Sequence, residues 1–503
     1  MSLSSTKIVA RNTVIMFIRM VILMVIAFYS SRLLLATLGV SDYGVFSVVG
    51  SISSTFVAIK SLFSESIQRF LNVAKGKTTD SLKEQQAIFN MSIIVHIVLI
   101  LCFVIVVEIA GGWLLNNKLD IPFDRIDAAT FVFHMTVIST TIGIFSVPYD
   151  AVIVANEKMS VFAGIAVFDA LLKLLFIFLL PVIGLDYLKV YSVLLVVIPI
   201  TTLLIQFIYC RRFPECQYKI TFDKRLFKEI MGLSGWNFFG NISFSIIHEG
   251  INMLLNIYGG VVMNASRAIA YQVKNVANQI STNILVAARP RVMQQSVQKS
   301  KEQYFEDIFL LSRISYFSLA LAIVPLFVYC PQLLGIWLTE VPEASTTFTR
   351  LVLIGLFIRS LHEPLNIMNM AYASIKRMML IEVVSMLSSL VVIYFVLRNS
   401  ALIWFPFAYL SCMEAIIITG LIINAKYELG FPIRKYLKKV ICPMLLFSLI
   451  SSVFGFILHY AFKPSTVISV LLCVLLIVIV EIFFCWLFCN TREKQMVLMF
   501  IKK

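Results

Sequence analysis

Charge is what this chain has least of. Asp, Glu, Lys and Arg make up 14% of its 503 residues and apolar side chains 60%, whereas an average soluble domain carries about 25% charge. So little charge cannot clothe a soluble fold of this size, and an aqueous enzyme is excluded. Long polar segments are also missing. The longest outside loop is about Asn116–Asp127 and the longest inside loop about Arg211–Lys228, which leaves no room for the aqueous domain that a glycosyltransferase or polymerase would need to hold a sugar acceptor. Nowhere do polar and apolar residues alternate over about ten positions, so a porin-type barrel is excluded. The nine cysteines are scattered without disulfide or zinc spacing. His248-Glu249 and His362-Glu363 begin like a zincin motif but lack the second histidine. Neither a metal nor a cofactor is expected.

What the chain has in abundance is apolar runs. A hydrocarbon crossing needs roughly 20 such residues, and fourteen spans can be drawn, at 12–36, 43–70, 87–115, 128–154, 160–183, 189–210, 229–258, 263–291, 307–331, 345–371, 378–397, 401–424, 440–460 and 465–489. The expected fold class is therefore an all-α polytopic membrane protein. A net charge of +15 could suggest nucleic acid. Placed along the spans with both termini cytoplasmic, however, the inside segments hold 25 Lys and Arg and the outside loops hold 5. That asymmetry is the positive-inside rule, so the basic character reports topology and contact with anionic lipid, and no nucleic acid partner is expected. Arg19 interrupts the first apolar run and no small-residue cleavage site follows it, so the run reads as a retained helix rather than a signal peptide.

Shifting the sequence by about 220 residues aligns distant landmarks. Arg69 falls on Arg289 and Pro122 on Pro342, while Pro148 with Ala155-Asn-Glu-Lys-Met159 answers Pro364 with Ala373-Ser-Ile-Lys-Arg-Met378. The reading is a duplicated six-helix unit: an N-lobe at 1–210, a cytoplasmic linker at 211–228, a C-lobe at 229–424, and a C-terminal helix pair with a cytoplasmic tail at 425–503. An even number of helices per copy relates the two lobes by an axis along the membrane normal.

Some of these residues also carry a family likeness. Ser31-Arg-Leu-Leu-Leu-Ala-Thr-Leu-Gly39, Asp42-Tyr-Gly44 and Pro148-Tyr-Asp-Ala151 with Ala155-Asn-Glu-Lys158 resemble the N-terminal half of the polysaccharide (O-antigen) flippases. Gly235-Trp-Asn237, Asn252-Met-Leu-Leu-Asn256, Gly259-Gly260, Asn264-Ala-Ser-Arg-Ala-Ile-Ala270 and Arg289-Pro290 resemble the start of their C-terminal half. The resemblance covers most of residues 1–425. It implies the fold of the multidrug/oligosaccharidyl-lipid/polysaccharide exporter superfamily, two six-helix lobes around a central cavity lined by spans 1, 2, 7 and 8. Spans 13 and 14 resemble extra pairs found in some members.

A charge inside a bilayer is costly and usually faces a wet cavity or a partner. On span 8, Arg267, Tyr271, Lys274, Asn278 and Thr282 recur at helical spacing as one polar stripe. Span 7 offers a neutral counterpart in Asn237, Asn241, Ser245, His248 and Asn252, with Glu249 beside it; span 2 offers Lys60 and span 1 Arg19. Arg19, Lys60, Arg267, Lys274, His248 and Asn252 are therefore the candidate ligands of an anionic cargo, because ammonium and guanidinium groups bind phosphate oxygens through charge-assisted hydrogen bonds. The spacing leaves interhelical hydrogen bonding open for the Asn and Ser stripes, and snorkelling open for Arg19. Asp169 and Lys173, four apart on span 5, read as a self-neutralising pair or a coupling site. Arg359, His362 and Glu363, beside Pro364 on span 10, read as structural or gating, with Glu249 a further coupling candidate. Glu414 and Glu481 stand alone in sequence.

The expected function is an inner-membrane flippase for an undecaprenyl-diphosphate-linked oligosaccharide, working by alternating access, with membrane lipid and other polysaccharide-assembly proteins as surroundings. It forms and breaks no covalent bond, so it is not an enzyme. The alternatives are a multidrug exporter of the same superfamily and an integral-membrane polymerase or ligase.

Overall fold

In hydrocarbon every backbone N–H and C=O must be satisfied within the protein, and a helix does this locally whatever its side chains. The computed structural model describes residues 3–54, 57–75, 81–219, 222–298, 300–372, 375–400, 402–464, 466–488 and 494, with the side chains of some helical stretches, Lys60 among them, outside the description. Among the described residues the chain is all-helical: α1 (Leu3–Ser54), α2 (Val57–Lys75), α3 (Ser81–Asn117), α4 (Ile126–Phe145), α5 (Val147–Ala155), α6 (Met159–Ile183), α7 (Tyr187–Cys210), α8 (Lys224–Gln298), α9 (Lys301–Val328), α10 (Cys330–Trp337), α11 (Ser345–Tyr372), α12 (Ile375–Asn399), α13 (Phe405–Leu429), α14 (Ile433–Tyr436), α15 (Cys442–Phe462) and α16 (Val467–Phe488). Proline opens α5, α10 and α13, where its missing N–H costs no helical bond.

Twelve stretches among the described residues are long and apolar enough to cross a membrane, where fourteen spans were expected. Much of the difference lies at two glycines. Within α1, Gly39 takes φ 77° and ψ 169°, and within α8, Gly260 takes φ 73° and ψ −178°. Both values suit glycine because no Cβ resists them. In a straight helix Asn252 and Asn264 would lie about 18 Å apart at 1.5 Å per residue, yet the Asn264 side-chain amide donates to the Asn252 backbone carbonyl at 2.8 Å and to its Oδ1 at 2.9 Å. The chain therefore folds back at Gly260, which divides α8 into two arms. Gly39 and Gly260 are equivalent under the shift of about 220 residues. So are the starts of α3 at Ser81 and α9 at Lys301, and the two 25-residue helices α6 and α12.

Two compact units result, Met1–Ala265 and Ser266–Lys503. The first contains α1–α7 with the first arm of α8 and is centred on Phe63, Phe89, Val95, Tyr149 and Val152. Asn252 ties the first arm of α8 into this unit by donating to the Ser47 carbonyl at 3.3 Å. The second unit is centred on Phe309, Tyr316, Phe317, Met368 and Leu421. Its last helices join the same core: Phe447 of α15 meets Phe317 edge to face at 5.1 Å. Arg313 of α9 donates to the carbonyls of Lys439, at 2.7 Å, and Phe488. The helix pair that lay beyond the expected twelve-helix core is thus packed on α9. α11 runs past Pro364 as one element to Tyr372.

Candidate functional site

The second arm of α8 carries the expected cationic stripe. Arg267, buried, places its guanidinium 4.2 Å from the centroid of Tyr271, and the Lys274 ammonium lies 4.8 Å from the same ring. Positions separated by four and three residues stack on one helical face, so a single aromatic ring holds both cations through its quadrupole. Lys274 lies within electrostatic reach of Arg359 and Glu414.

Those two residues belong to an ionic network on three helices. From α11, Arg359 donates from Nη1 to Glu414 Oε1 of α13 at 2.7 Å and approaches Glu363 Oε1 at 3.5 Å. His362, one turn on and 3% exposed, sets Nδ1 3.3 Å from Glu414 Oε2 and Nε2 3.1 Å from Glu382 Oε1 of α12. A carboxylate only accepts, so both contacts are hydrogen bonds when the ring carries a proton on each nitrogen, as imidazolium. The network remains partly open, with Arg359 exposing 25% of its side chain and Glu363 39%. Sequence reading grouped Arg359, His362 and Glu363 but found no role for Glu414 and passed over Glu382. A lone carboxylate inside an apolar span was the available signal for both.

The first unit holds the other candidates. Asp169 of α6 and Lys173 line one cavity of about 460 Å³ together with Ser139, Thr140, Pro199 and Thr202. The expected ion pair between them is not formed. Asp169 instead accepts a hydrogen bond from the Thr202 hydroxyl of α7, which faces it across the α6–α7 interface. Arg19 of α1 lies 4.9 Å over the ring of Phe162. His248 and Glu249 are half-buried on the first arm of α8. Asn252 is committed to the Gly260 fold-back, where Asn256 completes the set: it donates to Asn264 Oδ1 at 2.9 Å and exchanges hydrogen bonds with the backbone of Asp120 at 2.7 and 3.1 Å. The Asn stripe of span 7 is, at this end, a structural knot. Lys60 belongs to α2, and its side chain lies outside the described residues.

Two of the motifs that carried the family likeness are joints as well. In Ala155-Asn-Glu-Lys158, the Ala155 carbonyl and Asn156 Oδ1 accept from Lys75 Nζ at 3.0 and 2.7 Å, and Asn156 donates to Glu215 at 2.7 Å. At the opposite end of the unit, Asp42 pairs with Arg125, whose Nη1 also donates to Asp186 at 2.9 Å. Burial would raise the Asp186 carboxyl, but the Lys189 amide, the Arg125 guanidinium and the Leu188 amide hold it below the ordinary value.

No family model and no curated protein sequence matches this chain. Solved structures do. A lipid II flippase MurJ in an inward closed conformation is 14% identical over 95% of this chain and 98% of that chain, with a TM-score of 0.71. An inward-facing multidrug resistance MATE family transporter of the MOP superfamily is 11% identical over 82% and 98%, with a TM-score of 0.69. A MOP superfamily transporter from Pyrococcus furiosus, described as having a binding pocket of reversed polarity, is 12% identical over 86% and 95%, with a TM-score of 0.53. This chain has the fold of those transporters.

Proposed function

We propose that this protein is a MOP-type flippase that carries an amphiphile with an anionic headgroup, an undecaprenyl-diphosphate-linked oligosaccharide of O-antigen, capsule or exopolysaccharide type, across the bacterial inner membrane by alternating access. The observation that carries the reading is the grouping of Arg267 and Lys274 on one ring with Arg359 within electrostatic reach of Lys274, inside an apolar helical unit. Cations partly withdrawn from water bind a diphosphate more strongly than the same groups in bulk water, and a headgroup moved between leaflets needs no catalytic residue. The flippase motifs in the sequence and the fold shared with a lipid II flippase support the same cargo class. The 25-to-5 distribution of Lys and Arg supports cytoplasmic termini.

A second reading has its own observation. Glu363, Glu382 and Glu414 meet in the second unit, and carboxylates suit a cationic drug; a multidrug resistance transporter shares the fold. Complementation separates the two. In a flippase-deficient strain, surface polysaccharide normalised to membrane protein should be restored by the wild type and lost with Lys274→Ala, whereas drug resistance should be unchanged. Restored resistance without surface polysaccharide would reverse the order of the readings.

A further inference from the structure

The cationic face comes with an anion of its own. Glu414 uses its two oxygens on two different cations, Oε1 on Arg359 and Oε2 on His362. His362 in turn holds Glu382, and Arg359 keeps a second, longer contact to the half-exposed Glu363. Lys274 is in electrostatic reach of both Arg359 and Glu414, and Arg267 shares its tyrosine. Among the described residues, the charged groups that act on Arg359 include Glu363 and His362 on its own helix, Glu382 on α12, Glu414 on α13 and Lys274 on α8.

We propose that Glu414 is a resident counter-anion: in the empty protein it occupies on Arg359 the place that an anionic headgroup takes when cargo is bound, which makes Arg359 a third cargo-binding cation beside Arg267 and Lys274. This rests on the anionic-cargo reading. A cluster of cations inside a membrane cannot stand uncompensated between transport events, and a carboxylate from a neighbouring helix supplies the compensation. The bridging geometry also solves the reverse problem. When a phosphate displaces Glu414 from Arg359, His362 still holds its other oxygen, so no carboxylate is left unpaired. Exchange of one anion for another at Arg359 also loosens the direct tie between α11 and α13 when cargo arrives.

The full-length protein in detergent micelles can be titrated with farnesyl diphosphate, and separately with tetraphenylphosphonium, at low ionic strength. The inference expects Glu414→Gln to bind farnesyl diphosphate about tenfold more tightly than the wild type, since a close competing charge is removed. Arg359→Gln should bind more weakly, and the double variant should match Arg359→Gln alone, because Glu414 acts through Arg359. A merely structural Glu414 would give unchanged or weaker binding in a folded Glu414→Gln protein, and that result overturns the inference while leaving the anionic-cargo reading intact. If neither wild type nor Glu414→Gln binds farnesyl diphosphate, but tetraphenylphosphonium binds the wild type and not Glu414→Gln, the cargo reading fails and the inference with it. Should Glu414→Gln not accumulate as folded protein, Glu363→Gln relaxes the same guanidinium from its exposed side. A smaller tightening there supports the exchange, and none overturns it.

Discussion

Two regions handle polar groups inside a membrane protein in opposite ways, the Gly260 fold-back and the α11–α13 network. At the Gly260 fold-back the first unit uses neutral amides: Asn252, Asn256 and Asn264 satisfy one another and the backbone of Asp120 and Ser47. In the second unit the α11–α13 network uses full charges, and each charge needs its partners. A neutral knot is a joint that can remain shut through a transport cycle. A charged network is poised for exchange, because an incoming ion can replace one partner at modest net cost. Alike in periodicity, Asn252 of span 7 and the basic stripe of span 8 meet different partners, amide and backbone groups for the one and an aromatic ring for the other.

The largest effect should come from breaking the charged network on one side. Arg359→Ala leaves Glu414 with His362 as its remaining partner, and losing a charge-assisted hydrogen bond of this partly open kind costs about 1.5–3 kcal/mol. Thermal unfolding in detergent should show a sharp fall, with Arg359→Leu combined with Glu414→Leu recovering much of it. Equal losses for single and double variants would mean the network is not what holds α11 to α13.

The next effect is on transport rather than stability. Lys274→Ala should abolish delivery of lipid-linked sugar with protein abundance near normal, Lys274→Arg should keep part of the activity, and Lys274→Glu should be worse than Ala. Equal activity for all three would remove Lys274 from the cargo site.

A smaller effect is expected at Asp169. Its bond runs to Thr202, so Asp169→Asn retains an acceptor for that hydroxyl and should cost on the order of 1 kcal/mol in unfolding. Lys173→Gln should not rescue it. Rescue would restore the ion pair that the i, i+4 spacing suggests.

The smallest effect belongs to the joint at Asp186. Its carboxyl is held below the ordinary value, so its contribution is present above the ordinary carboxylate range and is lost as pH falls through the lowered value. Solvent screening at this half-exposed site limits it to a fraction of a kcal/mol. Asp186→Asn should flatten the acid limb of thermal stability slightly; an unchanged limb would show that the Arg125 contact contributes nothing measurable.

Much of the fold was legible because its signals are local or periodic. Apolar runs of membrane length mark helices wherever they occur, and the duplication shows through shifts such as Pro122 to Pro342 and Pro148 to Pro364. The stripe of Arg267, Tyr271 and Lys274 was legible for the same reason, since helical spacing fixes a face before any packing occurs. Asp169 and Lys173 misled because the same spacing permits a pair without requiring it: a hydroxyl on α7 stood within reach, and periodicity along α6 contains no information about α7.

The amino-acid sequence by itself determined the helical class, the crossings, the repeat and which residues share a helix face, because hydrocarbon leaves the backbone one local solution and period 3.6 does the rest. Tertiary structure alone decided which charge answers which. Glu414 lies 55 residues from Arg359 and Glu382 lies 20 residues from His362, and no spacing rule along one helix can choose among carboxylates on others. Helix packing brings α11, α12 and α13 side by side, and only there does a carboxylate that looked stranded in its span become the counterion of a guanidinium and an imidazole.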